Sequence, residues 1–342
     1  MRIGVIGRAD PTGLGSMTVD FCDNVEVERA FIINRDSRGP TDSNRVRANY
    51  VLTAMWPTSG VDIPQFERFF RGEVDIIVGF ETFYSRDVVP ACVKAGIKTV
   101  MFPMWECSPA ELAACDLLIA VTDADKKRFP DAVRMDWPME PMELIRRPNN
   151  PPTKFVCNGG SLGLHNRNNF DAAAMAVRNG CFDGTNARLT LRCHDEQYAR
   201  SFAAGHPKID VLPRAEKRIE LYSRADVIIH LQAFDGLSLP QLEAAACGVP
   251  MIVMDIEGYK AYPHRCAARK SIDENGPHSF DLYDMMGQSV KYWRPDIEDL
   301  ARMLRGMAMG EILLQSSPKP PTWDEFMEGF HEELSTLCRP AS

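Results

Sequence analysis

The stretch FDGLSLPQLEAAACGVP, Phe234 to Pro250, sets two carboxylates, Asp235 and Glu243, eight positions apart across a Gly-Ser-Pro turn that runs into an alanine-rich helix. Just before it stands the short apolar run DVIIHL, Asp226 to Leu231, and at its end PMIVMD, Pro250 to Asp255. Strand, turn, helix and strand in this order form the crossover unit of a parallel α/β sheet, whose strands are covered on both faces and therefore read as continuous apolar runs. Working outward, KFVCN at Lys154 leads into the loop GGSLGLHNRN and the helical stretch NFDAAAMAV. ARLTLRC, IDVLP and the helical EKRIELYSRA then lead up to the quoted segment.

The N-terminal half repeats this logic with an unrelated sequence. Arg2 to Ile6 is apolar and passes through GRADPTGLGS into a helix for which Ser16 is the expected cap. Further strands are expected at Arg29 to Ile33, Asp75 to Val78, Lys98 to Phe102 and Asp116 to Val121, with helices at Asp62 to Arg71, Arg86 to Ala95, Pro109 to Ala114 and Asp123 to Phe129. Between the halves, WPMEPMELIRRPNNPPT holds five prolines, which break helix and strand alike. The fold class expected is therefore α/β, two Rossmann-like doubly wound domains facing across a cleft: 1–145, a linker at 146–153, and 154–320. The segment 321–342, with a helix in WDEFMEGFHEELSTL, is expected to pack back on the first domain.

The 342 residues are 45% hydrophobic and 25% charged, a globular composition long enough for two cores. A net charge of −8 lacks the basic footprint of a non-specific nucleic-acid binder. Apolar runs such as Leu117 to Val121 are far short of a membrane span, and the N-terminus enters a strand without a signal-type apolar region, so a cytoplasmic location is expected. Ten scattered cysteines without a Cys-x-x-Cys suggest reduced, mostly buried thiols.

Ligands in open α/β sheets sit at the carboxyl ends of strands, where a glycine-rich turn and a helix N-terminus offer backbone N–H groups. Gly13 with Gly15, and Gly159 with Gly160, stand in such turns. The first turn lacks the third glycine of a dinucleotide fingerprint, which leaves NAD a minor alternative. Arg167, after the second turn, suits bidentate contact with a diphosphate or a solvated surface about equally. Asp123-Ala124-Asp125 opens a helix, where acids favour the dipole, and is not taken as a metal pair. His230 is read as a core or wall residue, and His165 is placed near the phosphates only loosely.

The run ELYSRADVIIHLQAFDGLSLPQLEAAACGVPMIV resembles the donor-site signature of retaining GT-B glycosyltransferases of the group 1, family 4-like type. Asp235, Gly236, Leu239, Pro240, Glu243, Ala244, Ala246, Gly248 and Pro250 match in register. The family's usual first acid is Glu, so Asp235 is one methylene shorter, and Leu237 and Ser238 replace Phe and Gly. The resemblance implies Asp235 at the sugar and Glu243 on the ribose hydroxyls, these two being the catalytic pair. It implies Gly236, Leu237, Ser238 and Leu239 around the donor, Arg167 as one basic residue, and no first basic partner at its usual place. The nucleotide sugar, on UDP, GDP or ADP, would be the only cofactor-like group, with no metal required. GFETFYSRDVVPACVKAGIKTVMFPMWE resembles the acceptor half of the same enzymes, which puts Glu81 and Glu106 on the acceptor side of an interdomain cleft. The acceptor is open among a DNA base, a protein, a lipid-linked sugar and a small molecule. The compact length and GRADPTGLGSMT also resemble small phage glycosyltransferases that modify DNA bases. A sugar-nucleotide epimerase, a phosphorylase and a non-catalytic nucleotide-sugar binder on the same scaffold stay as alternatives.

Overall fold

The computed structural model describes residues 1–34, 41–56, 60–106, 108–109, 112, 114–142, 148–160, 168–193, 195–212, 218–233, 236–256, 264–266, 268–269, 280–283, 288–290 and 293–339. The chain divides into one unit of Met1–Pro138 with Pro321–Ser342 and a second of Met139–Pro320.

The first unit runs β1 (Ile3–Gly7), α1 (Gly13–Asn24), β2 (Val27–Asn34), β3 (Tyr50–Met55), α2 (Ile63–Phe70), β4 (Ile76–Phe80), α3 (Val88–Ala95), β5 (Lys98–Phe102), β6 (Leu117–Ala120), α4 (Asp123–Arg128) and β7 (Val133–Arg134). The strands form one parallel sheet in the order β3-β2-β1-β4-β5-β6-β7. Every residue of β1 and β4 is buried, as expected of central parallel strands with helices on both faces.

Two elements differ from the sequence reading. The first helix is capped by Thr12, not Ser16: Thr12 Oγ1 accepts from Gly15 N at 3.3 Å, and Ser16 N donates to the Thr12 carbonyl at 2.9 Å. Buried Asp10 decides this by accepting from Thr12 N at 3.2 Å, which fixes the chain ahead of the helix. Gly13 and Gly15 consequently lie within the first helical turn. A Cβ on Gly15 would come within 2.1 Å of the Asp10 carbonyl oxygen, so close packing alone calls for that glycine. The second difference is β3, which pairs with β2 from Arg29↔Tyr50 to Asn34↔Met55 although none of its residues is buried. Without a buried face it shows no alternating apolar pattern.

On one face the terminal helix (Trp323–Leu337), opened by a Thr322–Glu325 capping box, contributes Trp323, Phe326 and Phe330. These rings meet Phe21, Phe102 and Trp137, with Trp137 and Trp323 5.7 Å apart and edge-to-face. Burial of each such side chain contributes about 1.5–3 kcal/mol, so the helix is an integral layer of this unit.

The second unit contains β8 (Lys154–Gly160), α5 (Phe170–Arg178), β9 (Arg188–Cys193), α6 (Glu196–Ala203), β10 (Ile209–Leu212), α7 (Arg218–Ser223), β11 (Val227–His230), α8 (Leu239–Cys247), β12 (Met251–Met254), β13 (His264–Cys266) and α9 (Ile297–Ala308). Short antiparallel pairs join Ala268–Arg269 to Arg294–Pro295 and Phe280–Tyr283 to Gln288–Val290. The main sheet is parallel in the order β10-β9-β8-β11-β12-β13. Helix α6 was not foreseen: its start is Asp195, whose side chain accepts from Tyr198 N, and its apolar face is spread over the mixed sequence EQYARSFA.

Strand alternation divides this sheet into two faces. Phe155, Cys157, Leu189, Leu191, Ile229 and Leu231 pack with α5, α6 and α9. Val156 and Ile228 pack on the opposite face with Tyr222 of α7 and with Ala244 and Ala245 of α8. Continued by one step, the alternation carries Asn158, Arg192 and His230 to the α7/α8 face at the carboxyl ends of three adjacent strands. At the other end, buried Asp226 accepts from the backbone of Asn149, Thr153 and Lys154 at 2.9 Å each, which seats the entering chain.

Candidate active site

In the second unit the connections leave β8 and β11 in opposite directions, so the crevice beyond these neighbouring strands is the sheet's switch point, where such folds receive ligands. Helix α8 begins there. Its cap residue Ser238 has φ 55° and ψ 59°, a left-handed conformation unusual for serine and worth about 1–3 kcal/mol of local strain. Its hydroxyl lies 3.0 Å from His230 Nε2 and does not cap the helix. No acid stands in the first turn, so the helix's partial positive end has no carboxylate of its own there.

Glu243 lies one turn in and is 5% exposed. The hydroxyl of fully buried Tyr222 donates to Glu243 Oε2 and lies 3.4 Å from the Pro240 carbonyl, tying α7 to α8 and fixing the carboxylate's direction. Burial, and then the charge of Glu243, pushes the Cys247 thiol up to about 12, which leaves that cysteine inert as a nucleophile. Gly248 ends the helix at φ 69°, the left-handed position that a glycine fills without strain.

Several polar groups around this crevice have no hydrogen-bond partner among the described residues. Gln241, 0% exposed in the first turn of α8, leaves both amide atoms unmatched. Both side-chain amide atoms of Asn158 are buried and unmatched, and so is Nη1 of Arg192, a residue 6% exposed. Burial first, and then the charge of Arg224, lowers the Arg192 pKa, with Glu220 opposing. Each unmatched buried polar group costs about 1–3 kcal/mol, and native proteins leave few of them. None of these three residues was picked out from the sequence. Their signal was available only once two strands and a helix had been placed side by side.

The residues singled out in the sequence fall as follows. Gly236, Leu237 and Ser238 are buried between β11 and α8, and buried Leu239 opens α8. Gly159 and Gly160 end β8, and the Gly159 carbonyl accepts from Asn168 Nδ2. Asn169, just before α5, donates to the carbonyls of Leu231 at 2.8 Å and Trp293 at 3.0 Å, which pins that helix to the end of β11. His230 is 3% exposed and holds Ser238. Asp235, Arg167 and His165 lie outside the described residues. Gly13 and Gly15 belong to α1 in the first unit.

Glu81 and Glu106 also belong to the first unit, just beyond β4 and β5. Glu81 has φ 66°, and its carbonyl accepts from Ser108 Oγ at 2.6 Å. Glu106, 8% exposed, sits in a loop clamped by α4. Asp125 Oδ1 accepts from Trp105 N at 2.7 Å, and Arg128 donates to the carbonyls of Trp105 at 3.0 Å and Ser108 at 2.9 Å. Asp125 is also the third helical residue of a capping box with Thr122, the role expected of an acid opening a helix.

Two parallel Rossmann-like sheets make the fold GT-B. Within it, residues 152–268 match the family model for glycosyl transferases group 1, a segment that includes β8, Arg192, Tyr222 and all of α8. Among solved structures, HepE of Anabaena in complex with UDP-glucose aligns with a TM-score of 0.63 at 11% identity, covering 98% of this chain and 100% of that one. A glycosyltransferase from Rickettsia africae aligns at 0.60 and 10% identity over 99% of both chains. UDP-GlcNAc 2-epimerase from Methanocaldococcus jannaschii aligns at 0.57 and 11% identity, over 98% of this chain and 100% of that one. At such identities the likeness is one of fold. No curated protein matches the sequence. Among the described residues no helix is long and apolar enough to cross a membrane.

Proposed function

We propose that the protein is a retaining glycosyltransferase that moves a sugar from a nucleoside diphosphate sugar to an acceptor hydroxyl. The observation that carries the reading is Glu243, a buried carboxylate aimed by the Tyr222 hydroxyl one turn inside a helix whose first turn has no acid. In this reading Glu243 accepts from the two ribose hydroxyls, and the amides from Gly236 to Leu239 and the positive end of α8 face the diphosphate. The bond from the anomeric carbon to the phosphate oxygen breaks, and its electron pair leaves on the nucleoside diphosphate. The acceptor oxygen forms the new bond on the same face and passes its proton to the departing diphosphate oxygen. Asp235 holds the sugar and steadies the developing oxocarbenium charge, and Glu81 and Glu106 serve the acceptor. The reaction requires no metal ion. UDP is the first nucleotide to test, because HepE was solved with UDP-glucose.

The test is nucleoside diphosphate release from UDP-, GDP- and ADP-sugars, with and without an acceptor panel of sugars, peptides and hydroxymethylated DNA. Release that depends on acceptor and disappears in Glu243→Gln supports the reading. Interconversion of the donor sugar without any acceptor would instead make the protein an epimerase, and tight donor binding without turnover would make it a binding protein.

A further inference from the structure

Arg192 is an arginine that the fold buries without a partner among the described residues. It is 6% exposed, and among the described residues its guanidinium has neither a salt bridge nor a hydrogen bond, with Nη1 wholly enclosed. A buried charge is costly unless an opposite charge and hydrogen bonds meet it. Nearby charge does not do so, since the largest influence after burial is the like charge of Arg224 and Glu220 acts only as a weaker counterweight. Its strand is registered so that Arg192 stands opposite Asn158, which precedes the two glycines, Gly159 and Gly160, that end β8. Adjacent strands lie about 4.8 Å apart, so the guanidinium and the unmatched Asn158 amide border the same crevice. From Asn158 to Leu164 the chain has no Lys or Arg of its own, although this is where a phosphate-binding turn would carry its first cation.

We infer that Arg192, with the Asn158 amide beside it, binds the diphosphate of the donor and supplies from β9 a cation that the stretch from Asn158 to Leu164 lacks. The inference rests on the donor-site reading above and adds to it a residue outside the recognised signature. A diphosphate suits the position better than a nucleobase does, because a base carbonyl would accept a hydrogen bond but leave the buried charge unneutralised. The planar fork of a guanidinium also matches two phosphate oxygens at once. Arg192 is thus a binding residue whose cost in the empty protein is recovered when the anion arrives.

Calorimetric titration of wild type, Arg192→Met and Arg192→Lys with UDP and uridine, or with GDP or ADP and the matching nucleoside where the wild type binds that diphosphate instead, tests this, alongside melting temperatures without nucleotide. Loss of one charged bidentate contact weakens UDP binding in Arg192→Met roughly 10- to 100-fold, with uridine affinity changed less than about threefold. Arg192→Lys recovers part of the UDP affinity. Arg192→Met without nucleotide melts no lower than wild type, because an unpaired buried charge has been replaced by an apolar chain of similar length. Equal UDP affinity in wild type and Arg192→Met overturns the inference while leaving the donor site standing. Parallel loss of UDP and uridine moves Arg192 to the base and also overturns it, as does a large fall in melting temperature without nucleotide. If the wild type binds none of UDP, GDP and ADP, the donor-site reading itself fails.

Discussion

The two sheets share one strand order through their first six strands, yet the carboxyl ends of their strands are finished differently. In the first unit several of the polar groups meet one another: Asp10 takes Arg8 Nε at 2.7 Å as well as Thr12, Asp125 takes Trp105 N and the Thr122 hydroxyl, and Ser108 bridges Met104 N and the Glu81 carbonyl. In the second unit Ser238 and His230 hold each other, while Gln241, Asn158 and Arg192 remain unmatched among the described residues. Similar topology therefore does not imply a similar role. In the reading proposed above, the open crevice of the second unit takes the donor, and the hydrogen-bonded networks around Asp10 and Asp125 are scaffold.

Substitutions on the two sides should separate these roles. The largest effect is expected at Glu243. Replacement by alanine removes two hydrogen bonds to a charged acceptor and lowers kcat/KM for the donor about a thousandfold, roughly 4 kcal/mol, and lowers the melting temperature by about 2–4 °C because the buried Tyr222 hydroxyl loses its acceptor. A variant with unimpaired turnover would remove Glu243 from the donor site. Next, Asp125→Ala strips partners from Trp105 N and Thr122 and lowers the stability of the first unit by about 2–3 kcal/mol, seen in chemical denaturation, without altering nucleotide affinity. A loss of nucleotide binding with an unchanged denaturation curve would reverse the assignment of scaffold and receptor.

Smaller effects sharpen the same contrast. Ser238→Ala breaks the contact with His230 and costs about 1 kcal/mol, a fall of roughly 2–4 °C in melting temperature. The smallest effect concerns the amino end of the first sheet, where hydrogen bonding from the Arg2 guanidinium holds the Asp75 carboxyl below its usual value. Its folded pKa is depressed, so its contribution to stability is present above the ordinary carboxylate range near pH 4 and is lost as pH falls through the folded value. The pair is nearly half exposed, with side-chain accessibilities of 47% and 44%. Asp75→Asn should therefore lower the melting temperature by less than about 2 °C at pH 7, and that gap should close toward pH 3. A gap that widens on acidification would show that the pair stabilises by some other route.

The sequence by itself determined what depends on local pattern. Continuous apolar runs of four to eight residues marked β1, β2, β4, β5, β6, β8, β9, β11 and β12, because a strand covered on both faces has no polar side to display. The turn from Gly236 and the stop at Gly248 and Pro250 bounded α8, because a left-handed cap and a proline are chemical requirements visible in one dimension. Elements without such signals were missed: β3 buries none of its residues, and α6 spreads its apolar contacts over a charged stretch. The N-terminal cap was misplaced because Asp10, which fixes Thr12, acts through a buried hydrogen bond and not through helical spacing. Only the tertiary structure decided which polar side chains share a crevice. Asn158, Arg192 and Gln241 are separated by 34 and 49 positions along the chain, and nothing in their neighbours' hydropathy links them. The parallel register sets Asn158 against Arg192, and strand alternation turns both to the face that carries α7 and α8, a relation that exists only once the sheet has formed.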